Sequence, residues 1–222
     1  MILIGNPNNP TGAVVPRAEL EGIAKLAIEH DLIVAIDEVY SRLVYETEHV
    51  SIAAMPGMRD RTILLDGFSK AYAMTGWRIG YVAAPKHILE AMLKIHQYAI
   101  MCAGTAPQEA AIEALRYGED DVRVMHDEYD RRRRMFVDGL NRVGLPCCDT
   151  RGAFYAFPSI SDTGMTDEEF AEKLLFEEQV AVVPGSSFGA AGVGYVRCAY
   201  CTAYDKLEEA LVRMERFLKK NR

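Results

Sequence analysis

RAELEGIAKLAIEHDLIVAID, residues 17–37, carries two periodicities in succession. Leu20, Ile23, Ala24 and Ala27 recur at i, i+3, i+4 and i+7, which lines one face of a helix with apolar side chains. From Leu32 the chain turns apolar without alternation and stops at Asp37, the pattern of a strand covered on both faces. A helix leading into such a strand is the unit of an α/β layer. ILI at 2–4 precedes it as a strand that ends in the turn-rich GNPNNPTG, and TILLD (62–66) and RIGYVAA (78–84) follow as further strands. HILEAMLKIHQYAI (87–100) reads as another helix. Strands alternating with helices predict a largely parallel sheet.

Pro107 opens a further helix, PQEAAIEALRY, and EDDVRVMHDEYDRRRRMFVDGLNRV is a longer one that stops before Gly144. Beyond it the grammar changes. GAFYAFPSI, QVAVVPG and GYVRCAYC read as strands, and TDEEFAEKLLFEE and DKLEEALVRMERFLKK as helices. Thr166 and Glu169 stand at the spacing of a capping box. This pattern predicts an α/β domain at 1–117, followed at 118–222 by the long helix and a small α+β domain.

With 222 residues, half of them hydrophobic and about a quarter charged, the chain has the composition of a soluble globular protein. A net charge of −7 argues against nucleic acid as a partner, because phosphate binding needs a clustered basic surface. The one basic run, Arg131–Arg134, is flanked by acids and reads as a solvated helix face. No apolar run reaches the roughly 18 residues of a membrane span. MILIGNPNNP lacks the basic start of a secretory signal, and five cysteines are an odd number, which points to reduced thiols and a cytoplasmic location. Cys198 and Cys201 have CxxC spacing. On a strand, however, positions three apart face opposite ways, so no metal site is expected.

Asn9, Asp37 and Lys70 each stand at or just past the end of a predicted strand, where α/β sheets gather their ligands. DGFSKAYAMTGWRIGY, residues 66–81, adds a peculiarity: Lys70 and Arg78 lie in a small, apolar segment that offers few acids to pair with them. A solvated surface would interleave acids with them, and a plain core would hold neither.

Taken in order, NPNNPTG, AIDEVY, SKAYAMTGWRIG, GAFYAFP, VVPGSSFG and GYVRCAY resemble the class I/II aminotransferases, fold-type-I enzymes that use pyridoxal 5′-phosphate. The resemblance spans the whole chain. It implies the C-terminal part of the large, mostly parallel-sheet domain followed by the small domain. Lys70 matches the lysine that forms the internal Schiff base. A free lysine is mostly an ammonium at neutral pH, with a pKa of about 10.4, and a desolvated one near other cations loses its proton more readily. Arg78 matches the arginine that grips the cofactor phosphate, and Ser69 a phosphate ligand beside the lysine. Asp37 matches the carboxylate that pairs with the pyridine nitrogen, where an N-cap after the strand is the plainer alternative. Asn9 and Tyr40 match the two groups that hydrogen-bond the ring's phenolic oxygen. Arg197 matches the clamp on the substrate α-carboxylate, with a strand-surface charge as its alternative. Tyr72, Trp77 and Tyr155 read as walls of the site, and the five histidines as surface or helix residues.

The implied activity is transamination between an amino acid and a 2-oxo acid in a homodimer, with no metal, nucleic acid or membrane involved. A β-lyase on the same scaffold, or the aminotransferase-like effector domain of a transcription regulator, would share most of these residues. Two features depart from the family pattern. Gly67 replaces a serine that many members place against the phosphate, a loss of roughly 0.5–1.5 kcal/mol for one hydrogen bond. Members are also usually longer, with an N-terminal portion that cradles the phosphate and stacks on the ring. The resemblance therefore leads us to expect a C-terminal part with feeble activity alone.

Overall fold

A computed structural model describes residues 1–221. The chain divides into two compact units, the first formed by residues 1–8 and 14–126, the second by 9–13 and 127–222.

The first unit is built on a four-stranded sheet in sequence order: β1 (Ile2–Gly5), β2 (Val34–Asp37), β3 (Thr62–Gly67) and β4 (Gly80–Ala83). β1, β2 and β3 run parallel, with Ile4 opposite Ile36 and Ile36 opposite Leu64, while β4 returns antiparallel to β3. The expected largely parallel sheet is present with one antiparallel edge, because the 68–79 connection returns as a loop rather than through a crossover helix. The helix expected from residue 17 is α1 (Arg17–Glu29), and it buries Leu20, Ala24 and Ala27. That face packs on Val34 and Ile36 of β2 and on Ile52, Met55 and Met58 of the following connection. Fully buried side chains such as Leu20, Ile36 and Ile52 contribute about 1.5–3 kcal/mol each. α2 (Lys86–Ala99), α3 (Thr105–Tyr117) and the start of α4 (Glu119–Val143) complete this unit.

In the second unit, β5 (Tyr155–Ala156), β6 (Val183–Pro184) and β7 (Val196–Ala199) form an antiparallel sheet ordered β5-β7-β6. The strands are shorter than the apolar runs predict, since the chain leaves the ladder at Phe157 and Gly185 for irregular backbone. α5 (Asp167–Glu178) starts at Thr166, whose hydroxyl accepts the Glu169 N–H at 3.2 Å, half of the expected box. α6 (Tyr204–Asn221) closes the chain and buries Leu207, Leu211, Met214, Phe217 and Leu218. Cys198 is buried in β7 and Cys201 exposed beyond it, and no cluster fit for a metal occurs among the described residues. Burial pushes the Cys198 thiol up to about 12, so it is inert packing. None of the described helices is long and apolar enough to cross a membrane.

The segment 9–13 belongs to this second unit for a specific reason. Gly12 has φ +68°, and its carbonyl accepts the Arg151 and Gly152 N–H groups at 3.1 and 2.8 Å. A Cβ at Gly12 would meet the Gly152 carbonyl oxygen at 2.8 Å, so only glycine allows the approach.

One expectation fails on α4. The arginine run is not a solvated face throughout: Arg133 is 2 % exposed. Its Nε reaches Asp130 at 2.8 Å, and its Nη1 reaches Asp149 at 2.7 Å and the Thr150 carbonyl at 3.2 Å. The helical period turns every third or fourth residue inward whatever its charge, and here the inward arginine ties the helix to the 149–150 loop. Burial alone would raise the Asp130 carboxyl, but hydrogen bonds from Arg134 and Arg133 outweigh it and hold it below the usual range. Removing one partner of a buried pair strands the other. Arg133→Ala is therefore expected to destabilise the protein by about 3 kcal/mol, read from urea denaturation. Because the folded carboxyl is depressed, the Asp130 share is present above the ordinary carboxylate pKa and is lost as pH falls toward the folded one.

Candidate active site

In the first unit the polar groups collect at the C-terminal ends of β2 and β3. Asp37 is the last residue of β2, and its Oδ1 accepts the Val39 N–H at 3.1 Å. Its side chain remains exposed. The backbone beside it is fixed from both sides, with Asn6 N–H donating to the Asp37 carbonyl at 3.0 Å and Glu38 N–H to that of Leu65 at 2.8 Å. Tyr40, three residues further on, is buried at 5 % exposure. Lys70 sits three residues past the end of β3, half-buried, with Nζ 5.8 Å from the centroid of the Tyr40 ring. The structure thus brings Lys70 and Tyr40 together.

Residues 68–79 form the loop that carries Ser69, Lys70 and Arg78. Phe68 and Met74 pack with Ala111 of α3, and Tyr72 lies against Phe68 with ring centroids 5.4 Å apart. Trp77 is instead 47 % exposed. Arg78 has φ +54°, a left-handed conformation uncommon for a non-glycine residue and one that persists where surrounding contacts determine it. Its Nη1 donates to the Thr75 carbonyl at 3.0 Å, and it has no carboxylate partner among the described residues. A guanidinium so placed keeps donors available for an external anion.

Asn9 and Arg197 lie in the second unit and meet there: Arg197 Nη1 donates to Asn9 Oδ1 at 2.9 Å. Arginine has no acceptor, so the Asn9 oxygen must face it and the Asn9 amide nitrogen is left as a donor. The Arg197 guanidinium lies between two rings, 4.5 Å from the Tyr155 centroid and 4.8 Å from that of Phe188. Its Nε is buried without a hydrogen-bond partner. A strand-surface charge would be hydrated. This one is half-buried, lies against aromatic faces and is held at one nitrogen, which leaves it further donors.

Two site-adjacent residues escaped the sequence reading. His49 is not a surface histidine: its side chain is 14 % exposed and its Nε2 lies 3.1 Å from Glu38 Oε2, itself 5 % exposed. Asn6 is fully buried and accepts the Val15 N–H at 2.9 Å through Oδ1. Glu38 directly follows the strand-ending Asp37, which marked it only as a neighbour, and no local pattern singles out His49 or Asn6.

The family model for aminotransferases of class I and II matches residues 1–214. The aspartate aminotransferase of Pyrococcus abyssi is 52 % identical over 224 residues, covering all of this chain and 58 % of that protein. The aromatic-amino-acid aminotransferase 2 of Thermococcus litoralis is 50 % identical and is likewise covered over 58 % of its length. Among solved structures, the aromatic aminotransferase of Pyrococcus horikoshii superposes with a TM-score of 0.95 at 53 % identity, over 98 % of this chain and 59 % of that one. The chain thus spans a little under three fifths of the length of the relatives it matches. Class I and II aminotransferases depend on pyridoxal 5′-phosphate.

Proposed function

This chain belongs to the aminotransferase class I and II family, and on that premise we propose that the protein moves an amino group from an α-amino acid to a 2-oxo acid, with Lys70 as its catalytic lysine. The observation that carries this reading is an amine, a carboxylate and a phenol gathered at the ends of two neighbouring parallel strands, with Lys70 Nζ 5.8 Å from the Tyr40 ring. Relatives named for aspartate and for aromatic amino acids match at nearly equal identity, 52 % and 50 %. The proposed substrate class is accordingly α-amino acids and 2-oxo acids at large. In this reading the protein works as a homodimer in the cytoplasm.

The donor set fits pyridoxal 5′-phosphate: a primary amine for its aldehyde, a carboxylate for its ring nitrogen, a guanidinium and a hydroxyl for its phosphate. When bound, the cofactor supplies a carbonyl that condenses with amines and a ring that accepts the electron pair left at the substrate Cα. Lys70 Nζ would be the point of attachment, and once displaced by the incoming amino acid it would take the Cα proton and release it later in the same half-reaction. Asp37 would hold a proton on the ring nitrogen. Arg78 and Ser69 would orient the phosphate, and Tyr40 would donate to the phenolic oxygen. Arg197 would fix the α-carboxylate through donors that Asn9 leaves unused, while the Asn9 amide nitrogen donates outward.

Treating the chain with pyridoxal 5′-phosphate and then borohydride makes any imine permanent, and peptide mapping locates it. The expected mark falls on the Lys70 peptide ahead of exposed lysines such as Lys86 or Lys219. Marking spread evenly over surface lysines, or absent from Lys70, would remove the reading.

A further inference from the structure

The 68–79 loop leaves and re-enters the sheet through a rung that has no side chains. Gly67 is opposite Gly80 at the end of the β3–β4 ladder, and Asp66 is opposite Tyr81 one rung earlier. Space there is tight: a Cβ on Gly67 would lie 3.1 Å from the Gly80 Cα, and one on Gly80 would lie 3.0 Å from the Asp66 carbonyl oxygen, so a side chain on either would press the two limbs slightly apart. With glycine on both limbs, no side chains pair at the mouth of the loop. The last cross-strand pair able to hold the two limbs is Asp66 and Tyr81.

That pair is bonded. Tyr81 Oη donates to Asp66 Oδ2 at 2.9 Å, and the second carboxylate oxygen, Oδ1, accepts the Gly67 N–H at 2.7 Å. One side chain thus grips the outgoing limb by its backbone and the returning limb by a phenol. The Tyr81 ring also lies 6.0 Å from that of Phe68, the first loop residue, at 60°. Directly opposed antiparallel pairs are the unit by which such ladders are stabilised.

We propose that Asp66 and Tyr81 are positioning residues that latch the 68–79 loop and so set where it presents Lys70 and Arg78. The inference rests on the functional reading above for the roles of those two cations, and on the geometry of the ladder for the latch itself. It also accounts for an acid in a stretch otherwise nearly free of them: Asp66 faces the phenol and a backbone N–H rather than balancing Lys70 or Arg78. Burial raises the Asp66 carboxyl, against which its bonds to Gly67 and Tyr81 act, and burial with the Asp66 bond pushes the Tyr81 phenol up to about 12. Tyr81 therefore remains a donor throughout the working range.

The test compares the full chain with Tyr81→Phe, Asp66→Asn, Asp66→Ala and the control Tyr98→Phe, the latter at a side chain 94 % exposed. The first readout is hydrogen exchange at Phe68, Ala73, Met74 and Trp77, whose amides are bonded to acceptors in the loop. The second is the absorbance band of the adduct formed with pyridoxal 5′-phosphate, followed by its borohydride capture on Lys70. Losing one charge-assisted bond is expected to speed exchange about tenfold in Tyr81→Phe. Lys70 capture and its band fall with it, while the melting transition stays near the parent's. Asp66→Asn, which keeps one acceptor oxygen, falls between the parent and Asp66→Ala. The control leaves both readouts unchanged. Parental exchange and capture in Tyr81→Phe and Asp66→Ala would overturn the latch. If the parent chain itself forms no Lys70 adduct, the functional reading fails, and the exchange rates still decide the latch.

Discussion

Lys70→Ala is expected to lower transamination by the cofactor-loaded protein by at least about 10⁴-fold, measured as turnover with an amino acid and a 2-oxo acid. The size follows from what one amine is asked to do. As a positioned general base it accounts for roughly 10²–10⁴-fold by itself, and its loss also removes the covalent attachment that primes each turnover. Lys70→Arg makes the prediction sharper. Arginine keeps the positive charge and much of the length, but a guanidinium is not deprotonated in proteins, so it serves neither as nucleophile nor as base. If Lys70 acted only as a cation beside Tyr40, from which its Nζ is 5.8 Å distant, the arginine variant would retain most of the activity. The proposed role requires both variants to fail alike. Turnover above about a tenth of the parent's in Lys70→Arg would return the residue to an electrostatic part.

The contrast between what the sequence revealed and what it hid has a physical pattern. Residues 17–37 disclosed a helix and a buried strand because their burial follows the period of each element, and Leu20, Ala24, Ala27, Val34 and Ile36 are all inside. Asp37, Lys70 and Arg78 were conspicuous because polar groups in apolar stretches have a cost that something must offset. Arg197, which lies against the Tyr155 and Phe188 rings, was marked instead by the GYVRCAY motif, and reading of this local kind has a limit. It failed wherever the partner is distant in sequence and the local pattern is bland. Arg133 meets Asp149 across 16 residues, and His49 meets Glu38 across a loop. Asn9 stood out as a residue after a strand, yet nothing local told that it would be held by Arg197, 188 positions away. Asp66 and Tyr81 were legible only as ordinary strand residues, because their pairing depends on an antiparallel register that the apolar pattern does not specify.

Asp37→Asn is expected to reduce turnover by roughly 10²–10⁴-fold, the range that follows from removing one partner of a charge pair that the bound cofactor ring would cover from water. The substitution is chosen because Asp37 already has a structural duty that could be mistaken for a chemical one. Its Oδ1 accepts the Val39 N–H at 3.1 Å and supports the turn that leads to Tyr40. Asparagine keeps an oxygen for that bond and gives up the charge, so the turn survives while the ability to hold a proton on a facing ring nitrogen does not. The thermal transition should therefore remain within a few degrees of the parent's. Asp37→Ala removes both functions and should lose the same turnover together with some stability, of the order of 1 kcal/mol for a lost local cap. The two possibilities for Asp37 thus separate in a single comparison. A carboxylate acting on chemistry predicts a stable, nearly inactive asparagine variant. A carboxylate that only ends the strand predicts an asparagine variant that is as active as the parent, and an alanine variant that is merely less stable.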